Sequence, residues 1–211
     1  MPTLTDNVYN QLREMLANCE FEPGQRMPQR LLAKRLGCSP LPIVEALRRL
    51  ESEGLISKDP RKSARVRKLS AEELEGVYMV REGLESVAAR LAAQRITEQQ
   101  SQHLSELGDQ IEEAFDQVDK ASDAQLDTAI HKFISKCAHC SFLADKLDRL
   151  SLLEQTAMAN EHRVAPAYYR TSHRYIIQAI IDHDAEAAEY LMRKHIQRGA
   201  SEHLLKVNGN G

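Results

Sequence analysis

The sequence predicts a mainly α-helical protein in two parts: an N-terminal segment of three helices and a short hairpin, then an antiparallel bundle of about six helices. Three observations carry this. Pro and Gly are scarce, 7 and 9 in 211 residues, and the frequent residues (Ala, Leu, Glu, Gln, Arg) favour helix. Apolar residues recur at helical spacing along most of the chain, and strand-like runs occur only between 55 and 66. Charge is divided as well. Residues 1–69 hold 13 Lys and Arg against 8 Asp and Glu, so that segment is basic while the rest is acidic, within a net charge of −3. A basic head on an acidic body points to a polyanionic partner for the first third.

Asp6–Leu16 opens the chain with Val8, Leu12, Met15 and Leu16 at helical spacing. Pro23-Gly24 marks a turn. A short helix is predicted over 29–36, with Leu31, Leu32 and Leu36 inward, and Gly37 stops it. Ser39 is placed to cap the next helix, which tolerates Pro42 in its first turn. That helix runs to about Glu53 with Ile43, Ala46, Leu47 and Leu50 inward, and Gly54 ends it. Leu55–Ser57 and Ala64–Val66 read as two strands around a turn at Asp59-Pro60. Ser70-Ala-Glu-Glu73 has the form of a capping box and opens a helix to about Gln94. Five more helices are predicted near 97–118, 123–138, 141–162, 166–182 and 184–206, with Thr97, Ser141 and Asp184 as caps. Helices of this length and number pack as an antiparallel bundle. The domains expected are therefore 1–69 and 70–211.

Three helices followed by a hairpin make a winged helix-turn-helix, the second helix of which enters a DNA major groove by its N-terminal residues. Ser39, Leu41, Arg48 and Arg49 on that helix, Arg35 before it, and Lys62 and Arg65 on the wing are the candidate DNA contacts. Arg61, Arg67, Lys58 and Lys68 add to the same basic surface and suit phosphates. The bland alternative is a merely solvated basic face.

In the second part, Asp127 and His131 lie four residues apart and share a helical face, while His173 and His195 fall on two later helices. Three imidazoles and a carboxylate suit a divalent ion such as zinc, nickel or manganese, zinc first among them. Any one of these histidines alone reads better as a surface or hydrogen-bonded core residue than as a ligand. Cys137-Ala-His-Cys140 is a lone C-x-x-C with no second pair, which leaves buried thiols or a redox pair as its readings. No apolar run is long enough to span a bilayer, and Met1–Asn10 has no signal-peptide character, so a cytoplasmic location with reduced thiols is expected.

The runs Phe-Glu-Pro-Gly-Gln-Arg-Met (21–27), Leu-Leu-Ala-Lys-Arg-Leu-Gly (31–37) and Glu-Ala-Leu-Arg-Arg-Leu-Glu-Ser-Glu-Gly-Leu-Ile (45–56) resemble the DNA-binding domain of GntR-type regulators. Pro40 and Val44 stand where that family usually has DNA-contacting arginines, and Ser63 where its wing has a glycine. The segment 78–93 resembles the first helix of the FCD effector domain found in the FadR branch of the family. Asp127-x-x-x-His131, His173-x-x-Ile176 and Met192-x-x-His195 resemble its metal motifs. The resemblance implies that Asp127, His131, His173 and His195 ligate the metal, and that Arg81 grips a ligand carboxylate, unless it is a surface partner of Glu85. A six-helix domain this short is similar to the VanR-type subgroup. Relatives usually carry a small residue and Asn where His139 and Cys140 stand.

The function expected is a homodimeric DNA-binding repressor, not an enzyme. Its hold on a double-stranded operator would be modulated by an organic acid bound near the metal. A thiol-based redox regulator using Cys137 and Cys140, or a metal-dependent hydrolase, are the alternatives.

Overall fold

The computed structural model describes residues 3–58, 63–116, 120–157 and 167–209. Contacts divide the chain into two compact units, residues 1–70 with 151–162, and residues 71–150 with 163–211.

In the first unit, α1 (Leu4–Ala17) begins at a reciprocal cap: Asp6 N–H donates to Thr3 Oγ1, and Thr3 N–H donates to the Asp6 carboxylate. Such a box satisfies two backbone donors that the first turn leaves open. Val8, Leu12, Met15 and Leu16 bury one stripe of α1, and α1 packs on α3 (Pro40–Ser52), which buries Ile43, Ala46, Leu47 and Leu50. Between them lies α2 (Gln29–Arg35). Gly37 follows it at φ 63°, the left-handed conformation that turns the chain into α3 and that glycine adopts without penalty. Ser39 takes the extended cap conformation but its side chain makes no capping bond, and Pro40 starts the helix.

The hairpin is larger than expected. Strands β1 (Arg26–Met27), β2 (Ile56–Ser57) and β3 (Ala64–Val66) form an antiparallel sheet in the order β1-β3-β2. Met27 pairs with Ala64 and Ile56 with Val66. A two-residue strand such as β1 has too little alternation to be legible in the sequence. Leu31 is also corrected: it is 64% exposed, while Leu32 and Ala33 are buried. Five residues turn a helix by about 140° past one revolution, so Leu31 and Leu36 cannot share an inner face. The turn at Asp59-Pro60, together with Arg61 and Lys62, lies outside the described residues.

The second unit is helical among the described residues. Its helices are α4 (Ala71–Arg95), α5 (Glu98–Asp116), α6 (Lys120–Cys137), α7 (Ser141–Ala157, whose last turns fall in the first unit), α8 (Ala167–Ile181) and α9 (Ala185–Gly209). Thr97 and Gln100 form a reciprocal cap before α5, and Asp184 accepts from Ala187 N–H before α9. Helix α4 packs against α6, α8 and α9. Its close approach rests on small residues, since Ala88, Ala89, Ala92 and Ala93 are fully buried. Ile130, Ile134, Ile176, Ile180, Met192 and Ile196 supply the opposing apolar surface. This packing gathers α6, α8 and α9 around the residues described next. No helix among the described residues is long and apolar enough to cross a membrane.

Candidate metal centre and nucleic-acid interface

The second unit brings Asp127 and His131 from α6 together with His173 from α8 and His195 from α9. One donor atom from each lies within 4.8 Å of all the others. His131 Nε2 is 3.1 Å from His195 Nε2, and Asp127 Oδ1 is 3.2 Å from His173 Nε2 and 3.9 Å from His131 Nε2. The three imidazoles are buried. Asp127 is about one-third exposed as a side chain, yet its Oδ1 is buried and meets no donor in hydrogen-bonding geometry.

That arrangement fits a divalent ion. Ligand atoms about 2.1 Å from a metal stand roughly 3.0–3.4 Å from their neighbours in octahedral or tetrahedral coordination, close to two of the three separations above. Burial pushes His195 well below the usual imidazole range, and the neighbouring His173 and His131 push it further, so it presents the neutral ring a metal requires. Burial raises the Asp127 carboxyl, but the closely placed imidazoles of His173, His131 and His195 outweigh burial and bring it far below its ordinary range.

Two further charged groups stand behind the cluster. Arg81 and Glu85 on α4 are both buried. Arg81 Nε donates to Glu85 Oε1 at 2.7 Å and Arg81 Nη2 approaches the same oxygen at 2.6 Å, while Glu85 Oε2 accepts from His131 Nδ1. The pair is therefore internal, not the surface pair considered from sequence. Burial raises the Glu85 carboxyl, but Arg81 and then His131 overcome it and bring the group down to about 2. The same carboxylate raises His131 against the lowering effect of burial. Glu85 was legible only as a neighbour of Arg81. The missed signal is that it falls with Arg81 on the stripe of Leu74, Tyr78, Ala88, Ala89 and Ala92, two opposite charges on an otherwise apolar face.

In the first unit, Leu41 is 65% exposed at the start of α3, and Ser39, Pro40 and Arg48 are exposed with it. Arg49 is exposed as well but is engaged by its neighbours: its guanidinium lies 3.7 Å over the Tyr9 ring and pairs with Asp6 at 3.3 Å and Glu53 at 3.7 Å. Arg35 pairs with Glu20, and Arg65 donates to the Gly24 carbonyl at 2.9 Å. Cys137 is fully buried, and burial pushes its thiol up to about 11.

Residues 4–66 match the family of bacterial regulatory proteins named gntR, and residues 76–198 match the FCD domain. The chain belongs to the GntR family. GntR relatives similar to it include the HTH-type regulator YdhC of Bacillus subtilis, 30% identical over 96% of this chain and 92% of that protein. The HTH-type transcriptional repressor RspR of Escherichia coli is 26% identical over 92% of this chain and 86% of its own length. Among solved structures, E. coli McbR/YncC superposes with a TM-score of 0.86 at 23% identity, covering 98% of this chain and 99% of that one. That likeness shows the fold: a helix-turn-helix head with a small wing sheet and a helical C-terminal domain. GntR-family members of this type are DNA-binding transcriptional regulators and not enzymes.

Proposed function

We propose that this GntR-family regulator is a cytoplasmic homodimeric repressor with a DNA-binding domain at 1–69 and an effector domain at 70–211. In this reading a divalent ion, zinc before nickel or manganese, is held by Asp127, His131, His173 and His195, and an organic acid bound beside it alters operator affinity. The observation that carries the reading is the convergence of these four donors, with a buried, unbonded carboxylate oxygen among them, inside the FCD-matching segment. When bound, the ion would offer a Lewis-acidic position to an effector carboxylate. The protein's own part is to hold three imidazoles and one carboxylate close together. Arg81 is the candidate grip for the acid, through exchange of its present partner Glu85 for the ligand. The acid shifts the regulator only by binding one arrangement of the dimer more tightly than the other.

On the head, Ser39, Leu41 and Arg48 are the proposed direct contacts from α3, with Lys62 from the wing. Arg35, Arg49 and Arg65 would serve DNA binding by shaping the surface, each through its internal partner. A thiol switch at Cys137 and Cys140 is disfavoured, because a thiol raised to about 11 is a poor nucleophile near neutral pH.

Elemental analysis of protein purified without chelator tests the site. About one divalent ion per chain is expected, with His131→Ala, His173→Ala and His195→Ala each losing it. Metal-free protein that ignores added zinc, nickel and manganese would leave the cluster a polar core and remove the basis for the effector site.

A further inference from the structure

Helix α4 gives no atom to the four-donor cluster, yet it carries a buried row of charge that ends on one of the donors. Arg81, Glu85 and His131 are each under a tenth exposed. Both carboxylate oxygens of Glu85 are occupied, Oε1 by the guanidinium and Oε2 by His131 Nδ1. An ionised carboxylate only accepts, so Nδ1 must carry a proton and donate it. The other nitrogen, Nε2, then points to His195 Nε2 at 3.1 Å and toward Asp127 Oδ1. Arg81, four residues earlier on the same helix face, holds the other carboxylate oxygen and so fixes the orientation of Glu85.

We propose that Glu85 is a positioning residue for His131, holding its Nδ1 and its ring plane so that Nε2 faces the cluster, with Arg81 anchoring the other Glu85 oxygen. Helix α4 thereby sets the affinity of the site for a divalent ion without ligating it. This rests on the metal reading above. Partners that orient a ligating imidazole in this way typically change metal affinity by about 10–100-fold when removed.

The test uses the full-length protein and zinc alone, titrated in competition with a chromophoric chelator. Glu85→Leu is expected to weaken zinc binding about 10–100-fold, and Glu85→Gln, which keeps an acceptor for Nδ1–H, to recover most of the loss. Removing one member of a buried pair can unfold a protein. The double variant Arg81→Met, Glu85→Leu therefore removes both charges together, and it too should bind zinc weakly while melting cooperatively. An NMR readout separates orientation from mere packing. Wild-type His131 should show a slowly exchanging Nδ1 proton with and without zinc, and the leucine variants should lose it. Wild-type zinc affinity in a folded Glu85→Leu or double variant, or a wild-type His131 lacking the Nδ1 proton, overturns the proposal. If the wild type binds no zinc, the metal reading fails instead, and the Nδ1 proton still decides whether Glu85 orients the ring.

Discussion

Arg48 and Arg49 are adjacent in the chain and differently engaged. Arg48 is exposed on α3, whereas Arg49 lies over the Tyr9 ring beside Asp6 and Glu53. Arg48→Ala should weaken operator binding and reduce the slope of log affinity against log salt by about one, with the melting temperature unchanged. Arg49→Ala should instead cost about 0.5–1 kcal/mol of stability through the lost ring contact, read by urea unfolding. Equal effects of the two on the salt slope would show that both meet phosphates. The cysteines divide in the same manner. Cys19 is exposed and Cys137 is fully buried with its thiol raised to about 11. Iodoacetamide at pH 8 should modify Cys19 and leave Cys137 intact until the protein is unfolded, because the thiolate fraction at Cys137 grows only toward pH 11. Rapid native labelling at Cys137 would revive the redox reading. Residue types of this kind were legible in the sequence, but their partners were not. Arg49 could not be told from Arg48 until α1 was laid across α3, and Glu85 could not be told from a solvated carboxylate until α4 was buried on several sides.

Elements show the reverse balance, since helix positions followed from apolar spacing and caps while inner faces depended on what covered them. The predicted starts at 29, 97, 141 and 184 fall within a residue of the observed helices α2, α5, α7 and α9, because Pro28, Thr97, Ser141 and Asp184 punctuate those junctions. Leu31 was misread and β1 missed because a two-turn helix and a two-residue strand have no period to count. Junctions also carry strain. Gly37, at φ 63°, has nothing within 4 Å of where a Cβ would stand. Gly37→Ala should therefore lose about 1 kcal/mol from backbone conformation alone, with Gly37→Asn losing less. A neutral result in chemical denaturation would mean that α2 and α3 adjust their connection freely. Cys19, His139 and His183 hold positive φ at the ends of α1, α6 and α8 without being glycine. His183 has a compensating bond from its ring Nδ1 to the Ala93 carbonyl at 2.7 Å, which ties the α8–α9 junction to the end of α4.

At the scale of the whole molecule, the proposed site links three helices, so occupancy should be read as stability. Zinc at a hundredfold excess over its dissociation constant should stabilise the protein by about 2.7 kcal/mol. A chelator should reverse the gain, and His195→Ala should show none. A dimer is the second expectation: light scattering at micromolar concentration should give twice the chain mass, and the operator should be a palindrome with half-sites about 34 Å apart or closer. Tight operator binding by a monomer would dismiss it. One feature of the donor set bears on how the molecule comes into being. His131 and His195 are 64 residues apart, and His195 is the last of the four donors to be synthesised. During synthesis the helices and strands of the head are complete while the fourth donor has yet to be made. A chain stopped between residues 71 and 194 keeps α1 to α3 and all three strands but has no His195. Termination between residues 71 and 194 would thus leave the helices and strands of the head encoded and the four-donor cluster incomplete.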